Sequence, residues 1–130
     1  MNTIDASALA NNRPLGAAKP ALDAETERAA RAFMRRLENA VPALAFIVFG
    51  SRARGDHNPD SDADIAVILR GDGGDRWEMT RQLSGIAFDV MLETGILIQA
   101  LPLWESELRH PERFTNPALI ETVKREGLRL

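Results

Sequence analysis

The chain has 130 residues and a mass of 14.3 kDa, 45% hydrophobic and 27% charged, the size and mixture of one ordinary globular domain. Sixteen basic against nineteen acidic side chains leave a formal net charge of -3, so no global basic field points to direct nucleic-acid binding. The lack of cysteine excludes a disulfide framework, a thiolate zinc site and a cysteine nucleophile, and the longest apolar run, Ala43 to Phe49, is far too short to span a bilayer.

Residues 1–21 are rich in Ala, Asn and Pro and follow neither a helical nor an alternating period, so a flexible arm is expected there. They contain no apolar stretch of the signal-peptide kind, and the expected location is the cytoplasm. A single domain is expected over 22–130. Asp23 can cap a helix whose stripe is Ala30, Phe33, Met34, Leu37 and Val41, with Arg28, Arg31, Arg35 and Arg36 mostly off it and Pro42 as its stop. Ala43 to Phe49 reads as a buried strand running into a tight turn at Gly50. Turn-forming residues fill Gly55 to Ser61, and Ala63 to Leu69 reads as a second buried strand.

From Arg76 to Thr94, the series Met79, Leu83, Ile86, Val90 and Thr94 predicts a helix ended by Gly95, although Gly85 is unfavourable within it. Ile96 to Leu101 predicts a third strand, with Pro102 confining its end to an edge. Trp104 to Arg109 predicts a short helix before Pro111. Asn116 and Pro117 open a last helix with Leu119, Ile120 and Val123 on its apolar face and Gly127 past its end. The expected fold class is α/β or α+β: one small mixed sheet flanked by helices.

The chemistry concentrates between Gly50 and Leu69. Asp62 and Asp64 open a predicted strand one residue apart, so their side chains share a face. Two carboxylates that close repel unless a cation or a proton sits between them. Magnesium takes such oxygens together with water and substrate phosphates. Upstream, Gly50 lets the chain turn, Ser51 offers a hydroxyl and an amide, and Arg52 and Arg54 add donors suited to phosphate. An anion cradle thus faces a cation cradle, the arrangement needed for a nucleoside triphosphate and two metals.

Two other motifs are rejected. As a calcium loop, Asp60, Asp62 and Asp64 would place Ile65 where glycine is required and Gly71 where glutamate is required. As a phosphate loop, Gly50 to Gly55 would place Asp56 where lysine is required. His57 and His110 are expected to be solvated loop residues, and Trp77 and Trp104 to be packing residues.

Gly50-Ser51, ten residues, then Asp62-x-Asp64, with Ala53-Arg54-Gly55 inside, resembles the nucleotidyltransferases of the DNA polymerase-β superfamily, and the length resembles their minimal nucleotidyltransferase (MNT) branch. The resemblance implies a polymerase-β-like nucleotidyltransferase fold, ATP as substrate and two Mg²⁺ ions. It assigns Gly50 and Ser51 to the triphosphate, with Arg54 as a further phosphate contact, and Asp62 and Asp64 to the metals as the catalytic pair. It implies transfer of a nucleoside monophosphate, AMP by expectation, to a hydroxyl. MNT proteins commonly pair with helical HEPN proteins in toxin–antitoxin systems, and some adenylylate a tyrosine of that toxin. A HEPN-type partner is therefore implied, with a homo-oligomer as the other way to build an acceptor site.

The superfamily commonly carries a third carboxylate on a later strand. Here the candidate strand offers only Gln99 as a polar residue, and Asp89 would serve only if Ile86 to Leu92 were a strand rather than the preferred helix. On the helical reading the third acid is missing. That motivates the alternative of a catalytically silent nucleotide-binding antitoxin module acting by binding alone.

Overall fold

The computed structural model describes residues 22–130; the expected N-terminal arm lies outside the described residues. Asp23 caps the first helix, α1 (Ala24–Leu37), by accepting from the amide of Thr26 at 3.2 Å. The helix ends at Leu37, short of the predicted stop at Pro42. The amides of Ala40 and Val41 both turn back onto the Leu37 carbonyl, which lets Val41 bury its side chain outside the helix.

Strand β1 (Ala43–Phe49) leads through a single helical turn, α2 (Ser51–Arg54), and a loop to strand β2 (Ala63–Leu69). Helix α3 (Arg76–Thr94) follows, capped by Asp75 and closed by Gly95 in the left-handed conformation. It carries the chain to β3 (Ile98–Trp104), α4 (Glu105–Arg109), a 3-10 turn (Pro111–Arg113), α5 (Pro117–Glu126) and the two-residue strand β4 (Leu128–Arg129). Strand β3 starts two residues later than predicted and runs through Pro102 to Trp104. It can do so because it is an edge strand, bonded to β2 on one side only. Strand β4 was not predicted; two residues are too few to show any period.

The sheet order is β3-β2-β1-β4. Strands β1 and β2 are antiparallel, β1 and β4 are antiparallel, and β2 and β3 are parallel, with α3 as the crossover that parallel pairing requires. The expected small mixed sheet with flanking helices is therefore the fold. Alternation divides the strands between two cores. On one face Phe46, Val48, Ile65, Val67 and Leu69 pack with Phe33 and Leu37 of α1 and with Leu83, Ala87 and Val90 of α3. On the other, Ala45, Ile47, Phe49, Ala66, Ile68 and Leu103 pack with Leu108 of α4 and with Ile120 and Val123 of α5. Each fully buried Leu, Ile or Phe side chain contributes about 1.5–3 kcal/mol through removal from water. Two such layers therefore hold helices against both faces of the sheet, and at the paired ends of β1 and β2 Phe49 is buried while Asp64 is half-buried.

Among the described residues, no helix is long and apolar enough to cross a membrane. Trp104 is buried as expected of a packing residue, but Trp77 is 73% exposed on α3.

Candidate functional site

The pairing of β1 with β2 puts Phe49 opposite Asp64. The chain then turns at Gly50 with φ 76° and ψ -158°. A Cβ built on Gly50 would lie 2.3 Å from Asp64 Oδ2 and 3.3 Å from its Cγ, so only a residue without a side chain lets the turn backbone touch this carboxylate. The hydrogen bonds of α2 begin with the amides of Ala53 and Arg54, both onto the Gly50 carbonyl at 3.0 Å. The amides of Ser51 and Arg52 precede them and open out of the N-terminal end of the turn. An amide-rich bend and a carboxylate thus occupy one corner of the sheet.

Asp62 immediately precedes β2 and Asp64 is its second residue, so the two carboxylates lie on the same side of the strand. Burial pushes the Asp64 carboxyl above the ordinary value, the charge of Asp62 pushes it further, and Arg54 opposes them. On the other side, parallel pairing sets Gln99 of β3 beside Asp64, and Gln99 Nε2 donates to Asp62 Oδ2 at 3.3 Å. The strand position next to the aspartate pair therefore holds an amide, as the sequence indicated. An open cleft of about 320 Å³ adjoins the pair, lined by Phe49, Asp64, Gln99, Ala100, Leu101 and Leu119. Asp64 and Gln99 are its polar side, and Phe49, Leu101 and Leu119 its apolar wall.

This donor set fits a hard divalent cation. Two carboxylates converge, one of them destabilised in its charged form by its neighbour, which is the condition a cation relieves. Among the described residues, no group of three or more His, Cys or acidic side chains could hold a metal. A cation here would draw its remaining ligands from water and substrate oxygens, as Mg²⁺ commonly does.

The two arginines of the turn part company. Arg52, only 3% exposed, does not face the cleft as the sequence suggested. Its Nε donates to the Ser61 carbonyl at 2.9 Å, Nη1 to Thr26 Oγ1 at 2.7 Å and Nη2 to the Pro59 carbonyl at 3.2 Å. Three acceptors on α1 and on the loop before Asp62 consume its planar fork, and its work is to hold that loop in place. Thr26 passes the contact on, donating to Asp23 Oδ1 at 2.5 Å. Burial alone would raise the Asp23 carboxyl. The Thr26 hydroxyl and amide, with the His57 ring 3.4 Å away, outweigh burial and hold it below the ordinary value. His57 is accordingly a partly buried member of this network rather than a solvated loop residue.

Arg54 stays at the surface beside the site, where its guanidinium meets Asp56 at 3.1 Å and Glu126 of α5 at 2.9 Å. Glu126 was not singled out from the sequence, and no local signal could have done so across 72 positions. Asp60 is an exposed turn residue whose amide donates to Asn58 Oδ1. Asp89 is exposed on α3, the helix covering the opposite face of the sheet, and does not join the aspartate pair. Glu93, one turn further along α3, bonds Arg36 of α1 at 3.0 Å.

Comparison with known proteins gives two kinds of result. Among curated proteins no match was found. Among solved structures, a toxin–antitoxin crystal structure with AMP-PNP is similar at 21% identity and a TM-score of 0.52, over 79% of this chain and 70% of that one. A Sulfolobus solfataricus protein assigned to the nucleotidyltransferases aligns at 21% identity and a TM-score of 0.46, over 89% of this chain and 90% of that one. At such identity the first likeness speaks to the fold. The family pattern reaches further, because residues 28–125 match that of the nucleotidyltransferase domain, from within α1 to within α5. On that match, together with a mixed four-stranded sheet flanked by helices, the chain belongs to the nucleotidyltransferase domain family.

Proposed function

We propose that this protein is a Mg²⁺-dependent nucleotidyltransferase that moves AMP from ATP to a hydroxyl of a partner protein, acting as the antitoxin of a toxin–antitoxin pair. The observation that supports the reading is the approach of Gly50 to Asp64, by which the bend proposed to bind phosphate and the carboxylate proposed to bind metal share one corner. In this reading Gly50 and Ser51 hold the triphosphate through the turn amides and the serine hydroxyl, and Asp62 and Asp64 hold two Mg²⁺ ions. Bound there, the metals would neutralise phosphate charge and lower the cost of generating the attacking oxygen. Arg54 exchanges its surface partners, Asp56 and Glu126, for phosphate oxygens; exposed pairs of this kind are weak and screened by salt, so the exchange is cheap. The apolar wall of Phe49, Leu101 and Leu119 gives a base or ribose a dry surface to lie on.

The bond formed joins the α-phosphate to the acceptor oxygen, the α–β anhydride breaks and pyrophosphate leaves. The chain contains no tyrosine, so a tyrosyl acceptor comes from the partner. The similarity to a toxin–antitoxin structure supports a toxin partner, of HEPN type in this reading, and ATP as the donor agrees with a cytoplasmic site of action. The test is to purify the chain with the product of the adjacent reading frame, add Mg²⁺ and ATP, and weigh the partner by intact mass spectrometry. A gain of one AMP is expected. No gain while the nucleotide still binds would sink the transferase reading.

One observation favours a second reading, a silent module that neutralises its partner by occupancy. Gln99 stands beside Asp64 where a third carboxylate could take the acceptor's proton, and an amide does not accept it. On this reading the double substitution Asp62→Asn, Asp64→Asn leaves neutralisation intact. Loss of neutralisation with the complex preserved rejects it.

A further inference from the structure

Helix α3 has two apolar faces. Leu83, Ala87 and Val90 are buried against the sheet and α1. Opposite them, Trp77, Phe88 and Leu92 are 73%, 52% and 69% exposed. At 100° per residue these three fall within a sector of about 60°, and they run about 22 Å along the helix. Taking about 200 Å² for each large side chain, they expose about 400 Å² of nearly continuous apolar surface, at the upper range of what a monomer carries.

The stripe is self-complementary. When a helix packs against an antiparallel copy of itself across a two-fold axis, residue i meets residue j and j meets i, so the paired numbers share one sum. About a centre between Ser84 and Gly85, Trp77 pairs with Leu92 and Arg81 pairs with Phe88, and all four lie on this same outward face. The large residues stand at the two ends, each opposite another large one. The two smallest stand at the crossing, where backbones come closest. Arg81, paired among the described residues only with exposed Glu78, comes over the Phe88 ring and beside Asp89 of the other copy, a cation set against a π face and an anion. A Cβ added at Gly85 meets nothing within 4 Å, so the monomer itself does not require a glycine there.

We infer that the exposed face of α3 is the homodimer interface of this protein, an antiparallel α3–α3 pair centred on Ser84 and Gly85. The two copies together remove about 800 Å² of apolar side-chain surface from water, the dry centre of a standard-size interface whose polar rim completes it. The nucleotide cleft lies on the other side of the sheet, lined by Phe49, Leu101 and Leu119, so dimerisation leaves both clefts open and facing outward. The pairing is independent of the proposed catalytic role.

Sedimentation velocity of the full chain across a hundredfold range of concentration tests the pairing. The expected species has twice the 14.3 kDa chain mass. Gly85→Glu places two like charges together at the crossing while raising helix propensity. It is expected to return the mass to that of one chain, with an unchanged circular dichroism spectrum and melting temperature no lower at monomer concentrations. Because the chain has no cysteine, Ser84→Cys alone is expected to cross-link two chains under mild oxidation, whereas Glu121→Cys, at an exposed position of α5, is not. Wild type sedimenting as a monomer throughout overturns the inference. So does a dimer indifferent to Gly85→Glu, or a monomer whose α3 face is instead taken by a partner protein.

Discussion

Replacing Gly50 with alanine probes the contact on which the site depends. The substitution acts through two separable effects. With φ 76° and ψ -158°, Gly50 occupies a backbone region that side-chain-bearing residues almost never adopt, and strain of this kind costs about 1–3 kcal/mol. The new Cβ would also lie 2.3 Å from Asp64 Oδ2, so the carboxylate or the turn must move, an overpacking cost of about 1–3 kcal/mol. The sum, about 2–6 kcal/mol, is a large part of the 5–15 kcal/mol that holds a typical domain together. Gly55 is the internal control. Its φ of 85° is left-handed too, yet a Cβ there meets nothing within 4 Å, so Gly55→Ala is expected to cost only about 1–2 kcal/mol of backbone strain. Urea unfolding of both variants measures the difference. The double variant Gly50→Ala, Asp64→Ala separates the effects, since trimming the carboxylate removes the clash and leaves the strain. A cost for Gly50→Ala no larger than for Gly55→Ala, or one that Asp64→Ala does not reduce, would refute the contact and the shared site with it.

Asp64→Asn is expected to abolish the stabilisation that Mg²⁺ and ATP give the wild type, about 2.7 kcal/mol at a hundredfold excess over Kd, read as a lost rise of roughly 10 °C in a thermal scan. In the same scans without metal the variant should melt no lower than wild type at neutral pH. The raised Asp64 carboxyl favours folding while protonated, and that contribution fades as pH rises through its folded-state value; a wild-type-minus-variant difference that instead grew with pH would contradict this sign. Arg52→Ala removes the donor from the Ser61 and Pro59 carbonyls and from Thr26 Oγ1, which keeps its bond to Asp23, at a cost of about 3 kcal/mol by urea unfolding. Arg52→Lys should recover only part of it, because one ammonium cannot span all three acceptors. Gln99→Glu adds a third carboxylate beside Asp62 and Asp64. It should lower stability without metal and tighten Mg²⁺ binding by calorimetry, and if the wild type is silent for want of a base, it should raise AMP transfer; weaker Mg²⁺ binding would show that position 99 does not face the cation.

Much of this protein is written in short stretches of its chain. Short apolar runs and turn chemistry between Ala43 and Leu69 mark β1, the bend at Gly50 and β2, and a strand–turn–strand unit brings its own ends together; that Asp64 lies near the bend follows from the hairpin-like pairing of neighbours. The 3.6-residue period likewise marks α3 as a helix and so removes Asp89 from the sheet. Other features depend on which surfaces the fold presses together. Arg52 and Arg54 are two residues apart and chemically identical, yet one is spent on Thr26, Pro59 and Ser61 while the other reaches Glu126, 72 positions on. Gln99 meets Asp62 across 37 positions because β3 adds to β2 in parallel. Trp77 faces outward because α3 buries its opposite side. A local pattern is enough where the interacting groups are joined by a few rigid bonds. Where they are joined only by packing, the register of one strand against another and the rotation of a helix on its sheet decide, and those are properties of the assembled core.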